Sequence, residues 1–580
     1  MKKLKKLLTV VLALSLLASV AVVFAGCGMD GEELDDTKFQ LKISAYEAGY
    51  GVEWLNNYKA TFEEAYADYT HPDYPEKQGV QVSIDWNQNS NAEILAKIAL
   101  DTIENHLYFN SVNVYDLSKS GDAFDLTSIL QADMADVGEA GKTLESKIET
   151  DYQNYLKAYN DKYYAMPMFE TYEGIQYNVE LFERKGFYFS KGSSDTDSDD
   201  LRFTTGIVAG ADGVAGNSDD DQEKAEGPDG KSGTADDGLP VTYDEFFELC
   251  EYMKDNSVTP FVWSGAWTTY ANMLPRALWV NNEGLEQMRL NYTFSGTAKT
   301  LIDVDEYGDV TRLDPVQITD NNAYMLQKQE GLYRALQFVH ELVQDPDNYQ
   351  KDSFGASTHT DAQDYFISEE LIGNKPIAFL VEGTYWQAEA QGKFNGYAQE
   401  YGDQYGYEQS RYGFMPLPTY EKKANHKNTV LSGANTCFAD GQISGYEIEL
   451  VQKFLQFIST DTQLYEFLKL THYSRAMKME LTDDQYSTMS YYAKSIYDIR
   501  KESDICYTFS ENKFYLHNSS SHFTSRMQSD GWYFNYSGQL PVQDMRNNPN
   551  LTAEKYFNEC YKTFESKWQT IYYDYFNGLN

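Results

Sequence analysis

Two short segments of the sequence carry carboxylates on glycine-rich turns, an arrangement that suits a hard cation. Residues 210–220 and 227–237 both follow the pattern G-x-D-G-x-x-G-x-x-D-D. Such turns let several oxygen ligands approach one calcium ion, although the spacing is not that of an EF-hand loop and the closing glutamate is missing. A solvated acidic loop explains the composition equally well. The candidate ligands of a structural calcium ion are Asp212, Asn217, Asp219, Asp229 and Asp236.

No other cofactor and no catalytic residue is predicted. The sequence contains no G-x-S-x-G elbow, no H-E-x-x-H helix and no nucleotide-binding loop. His472 and Arg475 are neighbours in "HYSR", but no second residue stands at metal-ligand spacing, so a structural role is expected for both. A glycosidase would need two carboxylates flanking the scissile bond, and such a pair could be hidden among 89 acidic residues. The prediction is a protein that is not an enzyme.

Charge and cysteine usage exclude further classes. The formal net charge of −42 would repel the phosphate backbone, so no nucleic acid partner is expected. Aromatic residues make up 15% of the chain, including 48 tyrosines, and aromatic rings stack on the apolar faces of sugars. Cys250, Cys437, Cys506 and Cys560 are far apart and form no C-x-x-C pair. Buried free thiols are the preferred interpretation, with one or two disulfides as the alternative.

The N-terminus has the pattern of an export signal. Four lysines precede an apolar stretch from Leu7 to Phe24, and Ala25-Gly26 stands directly before Cys27. This resembles a bacterial lipobox, so residues 1–26 are predicted to be a lipoprotein signal peptide and Cys27 the lipidated residue. Ordinary signal cleavage is the alternative. Removing residues 1–26 would take the net charge from −42 to −46, and residues 27–40 would form an acidic tether.

The remainder alternates between strand and helix patterns. "LKISAYEAG", "GVQVSIDW" and "HLYFNSVNVYDL" read as strands, separated by helical spacing in "VEWLNNYKATFEEAYADY" and "NAEILAKIALDTI". This succession predicts an α/β fold with a parallel sheet. Thr242 and Glu245 predict a capping box at the start of a further helix. Residues 191–238 are poor in large apolar side chains and rich in Asp, Gly and Ser, which predicts an insertion.

Five phrases, in order, resemble the maltose-binding-like solute-binding proteins of sugar ABC importers. They are Tyr50-Gly51 with Trp54, residues 163–187 with Tyr177-Asn178 and Leu181-Phe182, residues 239–265, residues 377–390 with Gly383-x-x-Trp386, and residues 430–468. The resemblance covers nearly the whole chain after the signal. It implies a two-lobed periplasmic-binding-protein-like fold, with hinge-connected lobes and a ligand cleft between them.

The same resemblance implies the lobe boundaries. Lobe 1 would comprise residues 41–170 plus 432–490, and lobe 2 residues 171–431 plus 491–580, with the insertion at 191–238. Crossing segments are expected near Phe169–Glu173 and Leu431–Asn435, and a third within 475–500.

The ligand-binding residues are also implied by the resemblance, because they stand in the loops where the family contacts its ligand. Sugars need flat aromatic platforms beside carboxylates and amides that match their hydroxyl groups. Trp386 and Trp263 are the preferred stacking residues, and Glu170 and Glu173 are as easily explained by ion pairs. The full set is Glu47, Tyr50, Trp86, Asn87, Glu170, Tyr172, Glu173, Trp263, Trp267, Trp386 and Asn435.

The implied function is capture of a carbohydrate, expected to be an oligosaccharide, and its delivery to ABC transporter permease subunits. The protein would be a monomer anchored by the lipid on Cys27 to the extracellular face of the cell membrane. Two alternatives remain open. A binder of the same fold could take a cationic solute such as a polyamine, which would suit the acidic loops, or the chain could be a lipid-anchored glycoside hydrolase.

Overall fold

The chain divides into two compact units. The computed structural model describes residues 33–47, 49, 51–89, 91–100, 105–110, 114–206, 222–423, 426–508 and 540–577. The first unit comprises residues 1–144, 163–168 and 435–460, and the second comprises 145–162, 169–434 and 461–580.

The observed division differs from the predicted lobes mainly in two segments. Residues 145–162 and 461–490, both predicted in lobe 1, belong to the second unit. The chain passes between the units five times: at 144/145 and 162/163, at 168/169 and 434/435 inside two long strands, and at 460/461. No passage lies within 475–500, where a crossing was predicted. A strand that runs through both units carries no turn signal, so its boundary is invisible to sequence patterns.

The first unit is built on a sheet with the order β2-β1-β3-β16. Strand β1 pairs in parallel with β2 and with β3, and the end of β16 pairs antiparallel with β3. The three strands predicted in this region are thereby confirmed. The strands are β1 (Phe39–Tyr46), β2 (Val80–Asn87), β3 (Leu107–Phe109), the hairpin β4 (Asp133–Met134) and β5 (Glu139–Thr143), and the last part of β16 (Thr429–Ala439).

Helices cover this sheet through an aromatic core. In the first helix, Trp54, Tyr58 and Phe62 recur at helical spacing and are buried. The Phe62 ring lies 5.1 Å from that of Phe454 on a helix near the end of the unit. The helices are α1 (Glu53–Ala65), α2 (Asn91–Ala99), α3 (Val114–Ser120), α4 (Thr127–Gln131) and α17 (Tyr446–Phe457).

Four strands of the second unit pair in the order β15-β6-β14-β9. Strand β14 is parallel to β9 and antiparallel to β6, and β15 is antiparallel to β6. All seven residues of β14 are buried, as expected for a strand covered on both faces. Beside this sheet, β17 pairs in parallel with the first part of β16. The strands are β6 (Met166–Asn178), β9 (Thr259–Val262), β14 (Ile377–Gly383), β15 (Tyr412–Met415) and β17 (Asp504–Tyr507).

Three short hairpins complete the strands of the second unit. Their strands are β7 (Tyr188–Phe189) with β8 (Phe203–Thr204), β10 (Gly296–Ala298) with β13 (Val316–Ile318), and β11 (Ile302–Val304) with β12 (Val310–Arg312).

The helices of the second unit begin with short segments and include the predicted capping box. Thr242 and Glu245 cap helix α9 reciprocally, as predicted. The helices up to residue 293 are α5 (Leu144–Lys147), which starts at the unit boundary, α6 (Thr150–Lys157), α7 (Val179–Lys185), α8 (Asp199–Arg202), α9 (Tyr243–Asp255), α10 (Thr268–Ala271), α11 (Met273–Met288) and α12 (Leu290–Thr293). Those after it are α13 (Glu330–Gln344), α14 (His359–Ser368), α15 (Trp386–Glu389), α16 (Gln391–Tyr401), α18 (Asp461–Thr471), α19 (Asp483–Thr488), α20 (Tyr491–Glu502), α21 (Pro541–Asn547) and α22 (Ala553–Asn577).

The two ends of the predicted insertion are folded onto the second unit. Phe203 is buried and stacks on Tyr252 of α9, with ring centroids 4.1 Å apart. Arg202 donates from Nε and Nη2 to the two carboxylate oxygens of Glu248, both at 2.8 Å. Within the described residues, no helix is both long and apolar enough to cross a membrane.

Candidate functional site

The carboxyl ends of β9 and β14 lie at one edge of the second sheet. The strands are parallel, with Phe379 opposite Phe261 and Leu380 opposite Val262. In α/β proteins, the segments that follow such strand ends are where ligands usually bind. The segments here are residues 263–267 and 384–389, so this edge of the sheet is the candidate binding site.

The segment after β9 is held rigidly and ends in an exposed tryptophan. Ser264 Oγ donates to the Ser357 carbonyl at 3.0 Å, and the Gly265 N–H donates to Ser357 Oγ at 3.1 Å. A Cβ at Gly265 would lie 2.4 Å from the Asp352 carbonyl oxygen, so only glycine allows this close approach. Trp267 follows with 56% of its surface exposed. The ring is therefore presented to solvent on a pre-formed loop.

Polar side chains from several elements meet beside this loop. Glu382 is the penultimate residue of β14, and Glu173 of β6 stands near it because its backbone pairs with Gly383. Helices α10, α14 and α15 and the residue before α15 supply the rest. We call this set the acid–tyrosine cluster: Glu173, Tyr270, His359, Glu382, Tyr385 and Glu389.

Two carboxyl groups of the cluster are held largely away from solvent. Glu382 is fully buried, and its Oε2 has no hydrogen-bond partner among the described residues. Burial, followed by the charge of Glu389, raises the pKa of Glu382 well above its usual value, and hydrogen bonds from Gly383, Tyr385 and Gln363 oppose that shift. Burial also raises the pKa of Glu389, opposed by a 2.9 Å hydrogen bond from Gln363 and by the charge of His359. Each carboxylate would gain from a donor supplied by a ligand.

Glu173, the third carboxylate of the cluster, has only one of its two oxygens in a hydrogen bond. Arg276 Nη2 donates to Glu173 Oε1 at 2.7 Å, whereas Glu173 Oε2 is buried without a hydrogen-bond partner among the described residues. Burial raises the pKa of Glu173, and the Arg276 guanidinium opposes that shift. One oxygen is therefore fixed by the protein and the other is left as an acceptor.

The tyrosines join the carboxylates into one group. Burial raises the pKa of Tyr385, and the charges of Glu382, Glu389 and Glu173 raise it further. Tyr385 packs against the end of β14, where a Cβ on Gly383 would lie 2.3 Å from its ring. The cluster thus combines hydroxyl donors and carboxylate acceptors beside an aromatic ring, a set that matches the hydroxyl groups and apolar faces of a sugar.

Two of the residues predicted to bind ligand contribute to this site. Glu173 belongs to the acid–tyrosine cluster, and Trp267 lies on the adjoining loop. Glu170 and Tyr172 belong to a different group in the second unit. There Glu170 is fully buried and accepts hydrogen bonds from Tyr172 Oη at 3.0 Å, Tyr507 Oη at 2.8 Å and Arg500 Nε at 2.7 Å.

The two tryptophans preferred as stacking residues are core residues in the structure. Trp263 is 1% exposed and Trp386 fully buried, so neither ring offers a face to a ligand. Trp386 packs against Tyr412 and Phe366, with centroids 5.2 and 5.4 Å apart. The predicted stacking role of Trp263 and Trp386 is therefore wrong, because the side chain of a tryptophan at a strand end can point into the core as easily as into solvent. Trp267 is the exposed one.

The remaining predicted ligand residues belong to the first unit. Glu47 is exposed after β1, and its N–H donates to the Asn87 carbonyl at 2.8 Å. Asn87 Nδ2 in turn donates to Ser44 Oγ at 2.9 Å, and Trp86 is half-buried. Asn435 is exposed on β16. Tyr50 lies outside the described residues, and the ligand role of all five stays a prediction.

Two of the five predicted calcium ligands, Asp229 and Asp236, lie within the described residues. Asp212, Asn217 and Asp219 lie outside the described residues. Asp236 Oδ2 accepts a hydrogen bond from the Asp229 N–H at 2.9 Å, so this carboxylate stabilises the turn in which both residues lie. The described residues contain no group of three or more His, Cys, Asp or Glu side chains that could hold a metal ion. A calcium site on the repeats stays a prediction.

The cysteines follow the preferred interpretation. Cys250, Cys437, Cys506 and Cys560 are all buried and free, which confirms the prediction of free thiols. Burial raises the pKa of Cys250 and Cys506, so the neutral thiol is favoured. Cys27 lies outside the described residues, and its lipidation stays a prediction.

Glu173 was predicted as a ligand residue, and Tyr385 stands beside Trp386 in the turn that carries the family resemblance. Sequence reasoning missed the other four members of the cluster: Tyr270, His359, Glu382 and Glu389. Glu382 had a usable signal, because it is the one charged residue in the apolar run "IAFLVEG". A carboxylate at the end of a buried strand costs free energy unless it is paired or used. The other three carry no local signal, since helices distant in sequence bring them together.

Among the comparisons with known proteins, the one with solved structures bears on the fold. No protein-family model matches the chain, and no curated protein matches it either. A solved structure of a probable secreted solute-binding lipoprotein from Streptomyces coelicolor is similar, with a TM-score of 0.52 and 12% identity, over 92% of this chain and all of that one. A protein from work on xylan utilization by Caldanaerobius polysaccharolyticus has a TM-score of 0.50 and 13% identity, over 90% of this chain and 100% of the other. The predicted α/β fold of solute-binding proteins is thereby confirmed.

Proposed function

We propose that this protein is an extracellular solute-binding protein that captures a carbohydrate, expected to be an oligosaccharide, and delivers it to the permease of an ABC importer. The carrying observation is the exposed Trp267 ring on a pre-formed loop beside the acid–tyrosine cluster. The ring would stack on an apolar sugar face while the carboxylates accept hydrogen bonds from hydroxyl groups.

The comparisons support the proposal at the level of the fold. The Streptomyces structure is described as a secreted solute-binding lipoprotein, and the Caldanaerobius structure comes from work on xylan utilization. Both cover nearly the whole chain. Anchoring through a lipid on Cys27, and hence a place on the extracellular face of the membrane, belongs to the same proposal and rests on the sequence of the N-terminus.

A cationic solute is the second candidate. The cluster holds three carboxylates, and among the described residues Arg276 is paired with Glu173 at 2.7 Å. A polyamine could neutralise the other two, which would favour their ionised forms. The same fold would then serve a different ligand.

The test is a thermal-shift screen of the purified protein, followed by calorimetry on the hits. Malto-, xylo-, manno- and galacto-oligosaccharides are compared with spermidine, because a bound ligand raises the melting temperature. A rise with one glycan and no cleavage products is expected. A rise with spermidine alone would select the cationic solute, and cleavage of the glycan would show a glycoside hydrolase.

Two tryptophan variants locate the site. Trp267→Ala should weaken binding of the selected glycan by more than about tenfold, equivalent to about 1.4 kcal/mol, while stability changes by less than about 0.5 kcal/mol. Trp386→Ala should instead lower the free energy of unfolding by about 3–5 kcal/mol, because it empties a buried site. Unchanged affinity in Trp267→Ala would remove this edge of the sheet from the binding site.

A further inference from the structure

A second concave site lies in the same unit and shares no residue with the acid–tyrosine cluster. It has a volume of about 500 Å³ and is lined by one face of α20, by the second Asp/Gly repeat and by the ends of β6 and β15. We call it the α20 pocket. Its volume falls in the range of small-molecule sites, about 300–1,000 Å³.

The polar atoms left without a hydrogen-bond partner in this pocket are acceptors. Asn428 is 8% exposed, and its Oδ1 has no partner among the described residues. Asp229 Oδ2 is also buried without a hydrogen bond, with Lys231 Nζ at 3.6 Å as its ion-pair partner. A buried acceptor without a donor loses the free energy of its hydrogen bonds to water, which a ligand carrying N–H groups could recover.

The basic groups of the pocket are already engaged by the protein. Lys427 pairs with Asp504 at 2.5 Å, and Lys494 Nζ donates to the Ser487 carbonyl at 3.1 Å. His426 Nε2 lies 3.1 Å from Asn281 Oδ1, and burial lowers the pKa of His426 to about 4, so its ring is neutral at pH 7. Lys231 faces Asp229, as described above. An anionic ligand would therefore have to break these interactions.

The acidic groups of the pocket have raised pKa values although lysines lie near them. Partial burial raises the pKa of Glu502, the charges of Asp498, Asp229 and Asp236 raise it further, and Lys231 opposes the shift. Asp498 accepts a hydrogen bond from Tyr486 Oη at 2.7 Å on one oxygen, and burial raises its pKa as well. Glu502 is therefore repelled by the other three carboxylates, and a cation placed among them would relieve that repulsion.

The walls between these groups are apolar and aromatic. Tyr177, Phe414 and Tyr491 line the pocket together with Pro416 and Ile499. Such walls suit a methylene chain or a flat cation, and aromatic rings also attract cations. A metal ion is a poorer fit, because the described residues form no metal-binding group and the pocket is too large for one ion.

We propose that the α20 pocket binds a small organic cation, a primary amine or guanidinium on a short apolar chain, at a site separate from that of the captured solute. The acceptors Asn428 and Asp229 would receive its N–H groups, Asp498 and Glu502 would balance its charge, and the aromatic walls would enclose its chain.

Isothermal calorimetry with agmatine and cadaverine tests the proposal, with 1,5-pentanediol as the neutral counterpart of cadaverine. Both amines should bind and the diol should not. Glu502→Gln, at an exposed position, should weaken amine binding by about tenfold, because it removes one charge from the pocket. Asp498→Asn provides a second variant, and the melting temperature of each variant checks that it is folded.

Two control variants separate this site from the acid–tyrosine cluster. Glu480→Gln removes an exposed charge outside the pocket, and Trp267→Ala alters the other site; both should bind agmatine as the wild type does. Equal binding of the diol, absence of binding at millimolar amine, or an affinity unchanged in both pocket variants would overturn the proposal. Loss of amine binding in Trp267→Ala would overturn it too, by placing the cation at the cluster.

Discussion

Glu170 and Glu173 stand three residues apart on β6, yet the structure treats them in opposite ways. Glu170 accepts hydrogen bonds from Tyr172, Tyr507 and Arg500, which occupy both carboxylate oxygens. Glu173 has one oxygen on Arg276, and the other is buried without a hydrogen-bond partner among the described residues. The first carboxylate is fully used by the fold, and the second retains capacity for a ligand.

The difference arises from residues far away in the sequence. The donors to Glu170 include Arg500 at the end of α20 and Tyr507 on β17, more than 300 positions along the chain. Glu173 faces α11 instead, where only Arg276 Nη2 is recorded as a donor to it among the described residues. A carboxylate is therefore structural or available according to the donors that the tertiary structure brings to it.

The largest expected effect on stability comes from substituting Glu170, the carboxylate whose two oxygens both accept hydrogen bonds. Glu170→Gln should lower the free energy of unfolding by about 3–5 kcal/mol, because, among the described residues, it leaves the buried Arg500 with only Glu149, 3.7 Å away, as a counter-charge. Urea unfolding measures the loss. The matched control is Glu370→Gln, whose ion pair with Arg184 is exposed and should contribute less than about 1 kcal/mol. Equal effects of the two variants would contradict the assignment.

Glu283 on α11 is a third case, because its carboxyl group accepts hydrogen bonds as Glu170 does and yet has a raised pKa as Glu173 does. It accepts the Gly331 N–H at 2.6 Å and the Thr300 hydroxyl at 2.5 Å, and burial raises its pKa from 4.5 to about 7. Between pH 4.5 and pH 7, the native state therefore keeps a proton on Glu283 that the unfolded chain has already released. Stability is lost as the pH rises from 4.5 to 7, by about 3 kcal/mol in total.

Glu283→Gln should remove this pH dependence. Relative to the variant, the wild type should lose about 3 kcal/mol of stability between pH 4.5 and pH 7.5, since its carboxyl group must ionise while buried. Urea unfolding at several pH values measures the difference, and the exposed Glu480→Gln should follow the wild type throughout. Parallel curves for wild type and Glu283→Gln would show that Glu283 ionises normally.

The smallest effect on stability is expected for substitution of Glu173, the carboxylate with only one hydrogen-bonded oxygen. Glu173→Gln keeps an oxygen for Arg276 and removes a charge that burial already disfavours, so the free energy of unfolding should change by less than about 1 kcal/mol. Binding of the captured solute should nevertheless weaken by about tenfold, equivalent to about 1.4 kcal/mol. A loss of stability as large as that of Glu170→Gln, with unchanged binding, would make Glu173 a structural residue as well.

Much of the fold could be predicted from local patterns. The strands beginning at Phe39 and Val80, the helix from Glu53 and the capping box at Thr242 follow from side-chain periodicity and end signals, which act over a few residues. The place of residues 145–162 and 461–490 in the second unit was not predictable, because it depends on tertiary contacts and not on local periodicity.

The candidate site could be predicted only in part. Trp267 and Glu173 were identified, but Trp263 and Trp386, which have equally suitable positions after strands, point into the core. Exposure depends on which neighbours fill the space around a ring, and those neighbours, such as Phe366 and Tyr412 around Trp386, come from other parts of the chain.

The sequence by itself determined the alternating α/β elements, the acidic charge and the supply of aromatic and carboxylate side chains, because each depends only on composition and short-range spacing. The tertiary structure alone decided which carboxylates are satisfied and which tryptophan is exposed. Hydrogen-bond donors and packing partners arrive from residues hundreds of positions apart, and a buried group's free energy depends on them more than on its neighbours in sequence.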